Sequence, residues 1–261
     1  MEDIIFEQSG GILRVLLNRP ARKNAMTADM YTRFAWALEK ATTDEAVRVV
    51  FWHGAGDSFC AGNDIGEFLK SPSGAGESPQ ASLMHAFIGF DKPIVAAVQG
   101  AAVGGGTTML THCDFVYAGE SAKFQTPFIN LGLVAEFGSS FSIPERVGHL
   151  RAAEMFLLGE AFNAARAAEL GLVTRIVPDQ DLLATATATV ERLAAMAPGA
   201  LRANKRLLKR ASIEQLELAI EAENREFMGR LRSAEVKEAL SAFLEKRRPN
   251  FTYVPPQVAA E

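Results

Sequence analysis

The chain has 261 residues, 48% hydrophobic and 22% charged, with a net charge of −4. That length is ample for one large buried core, and the charge argues against a dedicated binder of nucleic acid or of an anionic membrane surface, leaving room only for a local basic patch. Two cysteines, Cys60 and Cys113, are too few to staple such a fold or to form a zinc site, and read as free core thiols of a reducing compartment.

Strand and helix signals alternate through the first half. Ile4 to Gln8 and Ile12 to Leu17 read as two strands joined at Gly10-Gly11, a hairpin signal. Thr27 is placed to cap a helix to about Ala41, with Met30, Phe34, Ala37, Leu38 and Ala41 on one face. Val47 to His53 is a buried strand by its continuous apolar run. A short helix begins near Asn63. Ser71 to Ser78 is the loosest stretch, and with the helix predicted after it, about Gln80 to Phe90, it is expected to shape a binding pocket. Ile94 to Val98 is a strand, Gly104-Gly105-Gly106 leads into a helix through His112, and Asp114 to Ala118 resumes a strand. This alternation implies a parallel sheet with crossovers.

From about Phe141 helical periodicity dominates, with one short strand at Leu172 to Val177. Segments 180–196, 199–210, 212–229 and 234–247 read as amphipathic helices. The last ends in a basic turn, Lys246, Arg247 and Arg248, before Pro249. A boundary near Ala197-Pro198-Gly199 divides an α/β core, residues 1–197, from a helical tail, 198–261. No apolar run reaches membrane-spanning length, and Met1-Glu2-Asp3 lacks a signal peptide's charge pattern, so a cytoplasmic location is expected.

Two segments stand out chemically: Ser58-Phe59-Cys60-Ala61-Gly62-Asn63-Asp64-Ile65 and Gly100-Ala101-Ala102-Val103-Gly104-Gly105-Gly106-Thr107-Thr108. Each sets glycine after a buried strand and before a helix. Glycine lets backbone approach a ligand, and a helix start offers unpaired N–H groups. Two such starts side by side make an oxyanion hole; taken singly, the same glycines make tight turns.

In order and spacing, these segments resemble the signature of the crotonase superfamily, the enoyl-CoA hydratase/isomerase family. Leu17-Asn18-Arg19-Pro20 with Lys23-Asn24-Ala25, the run Asp91 to Gly100, and Phe243 to Pro249 resemble its other motifs, so the likeness covers nearly the whole chain. It implies an α/β fold: a crotonase-type β-β-α spiral core with a C-terminal helical oligomerisation region, assembled as a homotrimer or a dimer of trimers. It implies an acyl-CoA substrate, with coenzyme A part of the substrate and no other cofactor or metal. The backbone N–H groups of Asn63 and Gly105 are then the oxyanion hole. Arg22, Ala25, Ala61, Asp64 and Ile65 match positions that contact CoA, although Asp64 also reads as a simple first-turn acid.

Hydratases of the family use two glutamates on water. This chain has Thr108 and Phe128 at those positions, so efficient hydration is not expected. Glu136, in Leu131-Gly132-Leu133-Val134-Ala135-Glu136-Phe137, matches the catalytic base of Δ3,Δ2-enoyl-CoA isomerases. Phe128, Leu133, Val134 and Phe137 are expected to exclude water and raise its pKa. One carboxylate with two oxygens, lying along the acyl chain, is expected to serve both C2 and C4. The competing reading makes Glu136 the cap of a helix starting near Phe137. Other readings that stay open are hydration or lyase chemistry, isomerisation of a ring-derived thioester, and a non-catalytic acyl-CoA or RNA-binding relative. His53 and His112 read as structural, His85 as structural rather than a base, and His149 as a helix-start or surface residue. Arg202, Lys205, Arg206, Lys209 and Arg210 read as a solvated face or subunit contact rather than a nucleic-acid site.

Overall fold

Gly10 and Gly11 take φ of 58° and 84°, as a two-residue hairpin of the primed type requires. They fold β1 (Ile4–Ser9) back on β2 (Ile12–Leu17), with Ser9 opposite Ile12. The structure, a computed structural model, describes residues 2–68 and 78–253. The Thr27 hydroxyl accepts from the Met30 N–H at 3.2 Å and starts α1 (Ala28–Thr43), which runs past the expected end at Ala41. The buried Lys92 ammonium caps that end, donating to the Ala41 and Asp44 carbonyls.

Then come β3 (Val49–Gly54), α2 (Ile65–Phe68), α3 (Pro79–Gly89), β4 (Ile94–Val98) and β5 (Ala101–Val103). Of the stretch read as loosest, only Ser78 lies within the described residues; it caps α3 through the Ala81 N–H. The helix expected from the glycine triplet to His112 is one α-turn, α4 (Gly105–Thr108), followed by a tighter 3-10 turn. Thr107 donates its hydroxyl to the Ala102 carbonyl and Thr111 to that of Thr108, and such back-bonds compete with regular helix. The chain continues through β6 (Phe115–Gly119), β7 (Lys123–Gln125), α5 (Ser139–Val147), α6 (His149–Ala153), β8 (Phe162–Asn163), α7 (Ala164–Glu169) and β9 (Arg175–Val177). The helices α8 (Leu182–Ala194), α9 (Pro198–Lys209), α10 (Ile213–Leu231) and α11 (Ala234–Leu244) follow.

Six strands form one sheet in the order β1-β2-β3-β4-β6-β9, parallel except for the first pair. A second sheet joins β5, β7 and β8. Every residue of β3 and β4 is buried, because both faces of the large sheet are covered. Val50, Trp52 and Ala96 face the core built with α1 and α3, where Phe34 packs edge-on to Trp52. Val49, Phe51 and Val95 face α8 through Leu182, Ala186 and Val190. Cys60 and Cys113 are free and buried, and burial lifts both thiols to about 12.

The basic helix α9 pairs its cations within the chain. Arg202 and Arg206 grip Asp91, Lys205 reaches Asp114 at 2.7 Å, and Lys209 donates to the Phe87 carbonyl. One expectation is corrected at the end of α11. The helix stops at Leu244, and the basic residues lie beyond it. Lys246 takes φ of 54°, its N–H bonds the Phe243 carbonyl and the Arg247 N–H that of Ala242, the double closure of a left-handed helix stop. Arg247 is then free to fork onto Glu238.

Candidate active site

The two glycine segments pack edge to edge as a short parallel ladder. The Cys60 N–H donates to the Ala101 carbonyl and the Val103 N–H to the Cys60 carbonyl, both at 2.9 Å. This approach demands glycine. A methyl group at Gly106 would overlap the Cys60 carbonyl oxygen, and one at Gly62 would lie 2.7 Å from that of Val103 and 3.8 Å from the Gly105 nitrogen. Asn63 bridges Met26 in parallel, with the Met26 N–H bound to Gly62 and the Asp64 N–H to Met26. Successive N–H groups of extended backbone alternate in direction, so the Asn63 N–H turns away from Met26. Gly105 opens α4, where an N–H has no acceptor in its own helix.

Beside this ladder lies a cavity of about 370 Å³. Ala61, Asn63, Ile65, Gly105, Phe128, Leu133 and Glu136 line it. The C-terminal helices close it with Phe227 of α10 and Leu240 and Phe243 of α11. Leu240 and Val236 pack directly on Phe128 and Leu133. Helix α3, expected to shape the pocket, contributes no residue to its described walls.

Glu136 is the cavity's one carboxylate among the described residues. Its Oε1 is enclosed and has no hydrogen-bond partner, and burial, reinforced by the charge of Glu223, lifts its pKa to about 8. It does not cap a helix. The next helix, α5, starts at Ser139 with Gly138 before it, and its amides are held by another acid. Glu223 of α10 accepts from the Gly138 and Ser140 N–H groups, each at 2.7 Å. Phe137 is held at a left-handed φ of 59°, a strained value for an aromatic residue. His112 fixes it from the other side. Burial depresses that imidazole to about 3, so it is neutral and its Nε2–H donates to the Phe137 carbonyl at 2.8 Å.

Replacing Glu223 by glutamine keeps one of these two bonds and deletes the charge. The variant should lose about 1–3 kcal/mol of stability, read from its denaturant midpoint. The Glu136 titration should also move down, because the like charge opposing its ionisation is gone. If neither quantity changes, Glu223 does not hold this turn.

The profile described as enoyl-CoA hydratase/isomerase matches residues 7–253. The chain belongs to that family. Its α/β fold is the crotonase fold: the enoyl-CoA hydratase/isomerase of Pseudoalteromonas atlantica T6c superposes with a TM-score of 0.92 at 37% identity, over 96% of this chain and 100% of that one. Pseudomonas aeruginosa OdaA gives 0.90 at 45% identity, over 94% and 99%. Enoyl-CoA delta isomerase 2 of Rattus norvegicus is 35% identical over 94% of this chain, which spans 64% of the rat protein's length. The 1,2-epoxyphenylacetyl-CoA isomerase of Escherichia coli K12 is 33% identical over 97% of this chain and 99% of its own. Hydratases occur among the relatives too, such as the 2,3-dehydroadipyl-CoA hydratase of that strain, at 32%.

Within this crotonase fold, the predicted residues Asn63, Gly105, Glu136, Ala61, Ile65, Phe128 and Leu133 share one cavity. Arg22, Ala25 and Asp64 stand outside its walls. Arg22 is exposed at the end of the turn Pro20–Arg22. The Ala25 carbonyl accepts from Arg19 at 2.6 Å, and Arg19 also pairs with Asp64 at 3.0 Å. Asp64 accepts from the Gly66 N–H as well, which makes it the N-cap of α2 rather than a residue of its first turn. Thr108 is fully buried, with its hydroxyl bonded back to Gly104. Sequence reasoning missed Glu223 and Tyr31. Glu223 did leave a signal: Leu216, Ile220 and Glu223 recur at helical spacing on the buried face of α10, and an acid on an apolar stripe calls for a partner.

Proposed function

We propose that this protein is a Δ3,Δ2-enoyl-CoA isomerase, moving the double bond of a 3-enoyl-CoA into conjugation with the thioester. The observation that carries this reading is Glu136, the one carboxylate among the described residues of the cavity, enclosed by apolar side chains and set against Gly105. A methyl at Gly105 would lie 3.2 Å from Glu136 Oε1, so base and backbone donor address neighbouring atoms of one substrate. The Asn63 and Gly105 N–H groups receive the thioester oxygen as negative charge develops on it. Glu136 removes a proton from C2, the electron pair spreads into a dienolate, and the proton returns at C4. Phe128, Leu133 and the helices α10 and α11 keep water from the intermediate. Hydration needs a second acid or base on the water, and Thr108 and Phe128 supply none.

The chemistry draws on no cofactor beyond the coenzyme A of the substrate. Arg22, Ala25, Ala61, Asp64 and Ile65 are the proposed contacts for that moiety, chiefly through backbone at Ala25 and Asp64. Assembly as a homotrimer or a dimer of trimers is proposed through the C-terminal region, residues 198–261, and neighbouring surfaces; Leu150, Leu157 and Leu158 stand 84%, 68% and 57% exposed. We place the enzyme in the cytoplasm, consistent with its free thiols. A nucleic-acid role is not proposed, because the cations of α9 are engaged within the chain.

The test offers purified protein a 3-enoyl-CoA and, separately, its 2-enoyl isomer. Ultraviolet absorbance of the conjugated thioester should rise with the first and stay level with the second. A fall with the second means hydration and overturns the isomerase assignment. A ring-derived thioester is the second substrate to offer, given the full-length match to the Escherichia coli 1,2-epoxyphenylacetyl-CoA isomerase. The pH profile carries its own sign. A base is active when ionised, so kcat/KM should climb about tenfold per pH unit and level off above the Glu136 pKa of about 8.

A further inference from the structure

A second polar atom beside Gly105 is buried without a partner. It is the hydroxyl of Tyr31 on α1. A methyl group at Gly105 would stand 3.2 Å from Tyr31 Oη and 3.2 Å from Glu136 Oε1. Only the absence of a side chain at this glycine leaves the space between the two atoms open. Tyr31 is itself fully buried, and its ring lies 6.5 Å from that of Phe137, the residue after Glu136. A buried donor and a buried acceptor, each unpartnered and flanking one gap, are complementary.

The other charged or titratable groups about the site cannot take this place. The Cys60 thiol stays protonated and is a weak donor. Glu223 carries like charge and is engaged by the Gly138 and Ser140 N–H groups. His112 is neutral, with Nε2 bound to the Phe137 carbonyl. Arg247 borders the cavity but is forked onto Glu238 and also bound to Glu245. Burial, with Glu136 and Cys60 adding to it, holds the Tyr31 phenol well above its ordinary pKa, so it remains a donor throughout the working range.

We infer that Tyr31 is a positioning residue of the proton shuttle: its hydroxyl donates to Glu136 Oε1, directly or through one water over Gly105, once the carboxylate is ionised. The inference rests on the proposed isomerase reading for its catalytic meaning, though not for the contact itself. With Oε1 held, Oε2 is the oxygen that works on the substrate. The C2–H bond breaks to Oε2 and its electron pair enters the dienolate. The Oε2–H bond then breaks to C4, a C4–H bond forms, and the pair settles between C2 and C3. The carboxylate returns to its starting form, and no co-reactant is needed. C2 and C4 are separated by one carbon, so a single oxygen reaches both by a small rotation. The Tyr31 donor stabilises the ionised form, opposing the burial and the Glu223 charge that disfavour it.

The experiment is Tyr31→Phe, which keeps the ring and deletes the hydroxyl. The Glu136 carboxyl is titrated by infrared difference spectroscopy, with Glu136→Gln as the blank, so the readout needs no turnover. The midpoint should move up by about one unit in Tyr31→Phe, and kcat/KM at pH 7 should fall roughly tenfold with KM little changed. A thermal melt at pH 6, where Glu136 is protonated and the Tyr31 hydroxyl has no ionised partner, should show the variant folded and no less stable. A midpoint equal to the wild-type value, or below it, overturns the inference. Should wild-type protein leave 3-enoyl-CoA untouched while Tyr31→Phe still raises the midpoint, the isomerase reading falls and the Tyr31 contact stands.

Discussion

Exchanging Glu136 for glutamine should lower kcat for the double-bond shift by about three orders of magnitude or more, within or beyond the span set by removal of a general base. Glutamine keeps the volume and the acceptor oxygen but cannot take a proton. Substrate should still bind, because the cavity walls and the two N–H donors are untouched, so KM should change little. The same variant should reveal the cost of keeping the base. The folded-state pKa of about 8 lies above the ordinary carboxylate value of 4.5. Between those values the folded protein holds a proton that the unfolded chain has released, so wild-type stability declines as pH rises through the window. Glutamine does not titrate. The variant should therefore match the wild type near pH 4.5 and exceed it by a few kcal/mol at pH 9. Parallel denaturant curves at the two pH values check this. Equal stability at both would place the Glu136 pKa near its ordinary value and remove the physical basis for the proposed base.

Gly106→Ala should be a severely damaging change at the oxyanion site. Its methyl group would meet the Cys60 carbonyl oxygen inside van der Waals contact and the Cys60 Cβ at 3.0 Å, where Gly106 is fully packed. Neither neighbour is the loose end of a side chain, so the strain must be relieved by moving α4 away from the Ser58–Asn63 segment. That movement separates the Asn63 and Gly105 N–H groups. Loss of one donor costs about 10²–10³ in kcat, and overpacking of a core position costs about 1–3 kcal/mol. The melt should show a folded, less stable protein whose kcat has dropped far more than its KM has risen. Wild-type kcat in a folded Gly106→Ala protein would show that the paired N–H groups do not stabilise the reacting oxygen.

The hairpin at Gly10-Gly11, the Thr27 cap and the apolar run of β3 were all legible in the sequence. Each is written within a few neighbouring residues: a pair of positive φ values, an oxygen three residues from an N–H, an unbroken string of buried side chains. The glycine segments and Glu136 were legible too, but only as motifs, because their spacing resembles that of a family. What makes them a site is contact between distant parts of the chain. Cys60 pairs with Ala102, Glu223 reaches back to Gly138, and Tyr31 stands against the gap at Gly105. Helical periodicity placed α11 correctly but carried it past Leu244, since nothing local marks Lys246 for a left-handed turn. The sequence by itself determined the strands of the large sheet and the long helices, though not the short second sheet of β5, β7 and β8, because capping, alternation and periodicity act over a turn or two. Only the tertiary structure decided that Tyr31 and Glu223 flank the base and that α10 and α11 close its cavity, because burial and through-space charge depend on which surfaces meet rather than on order along the chain.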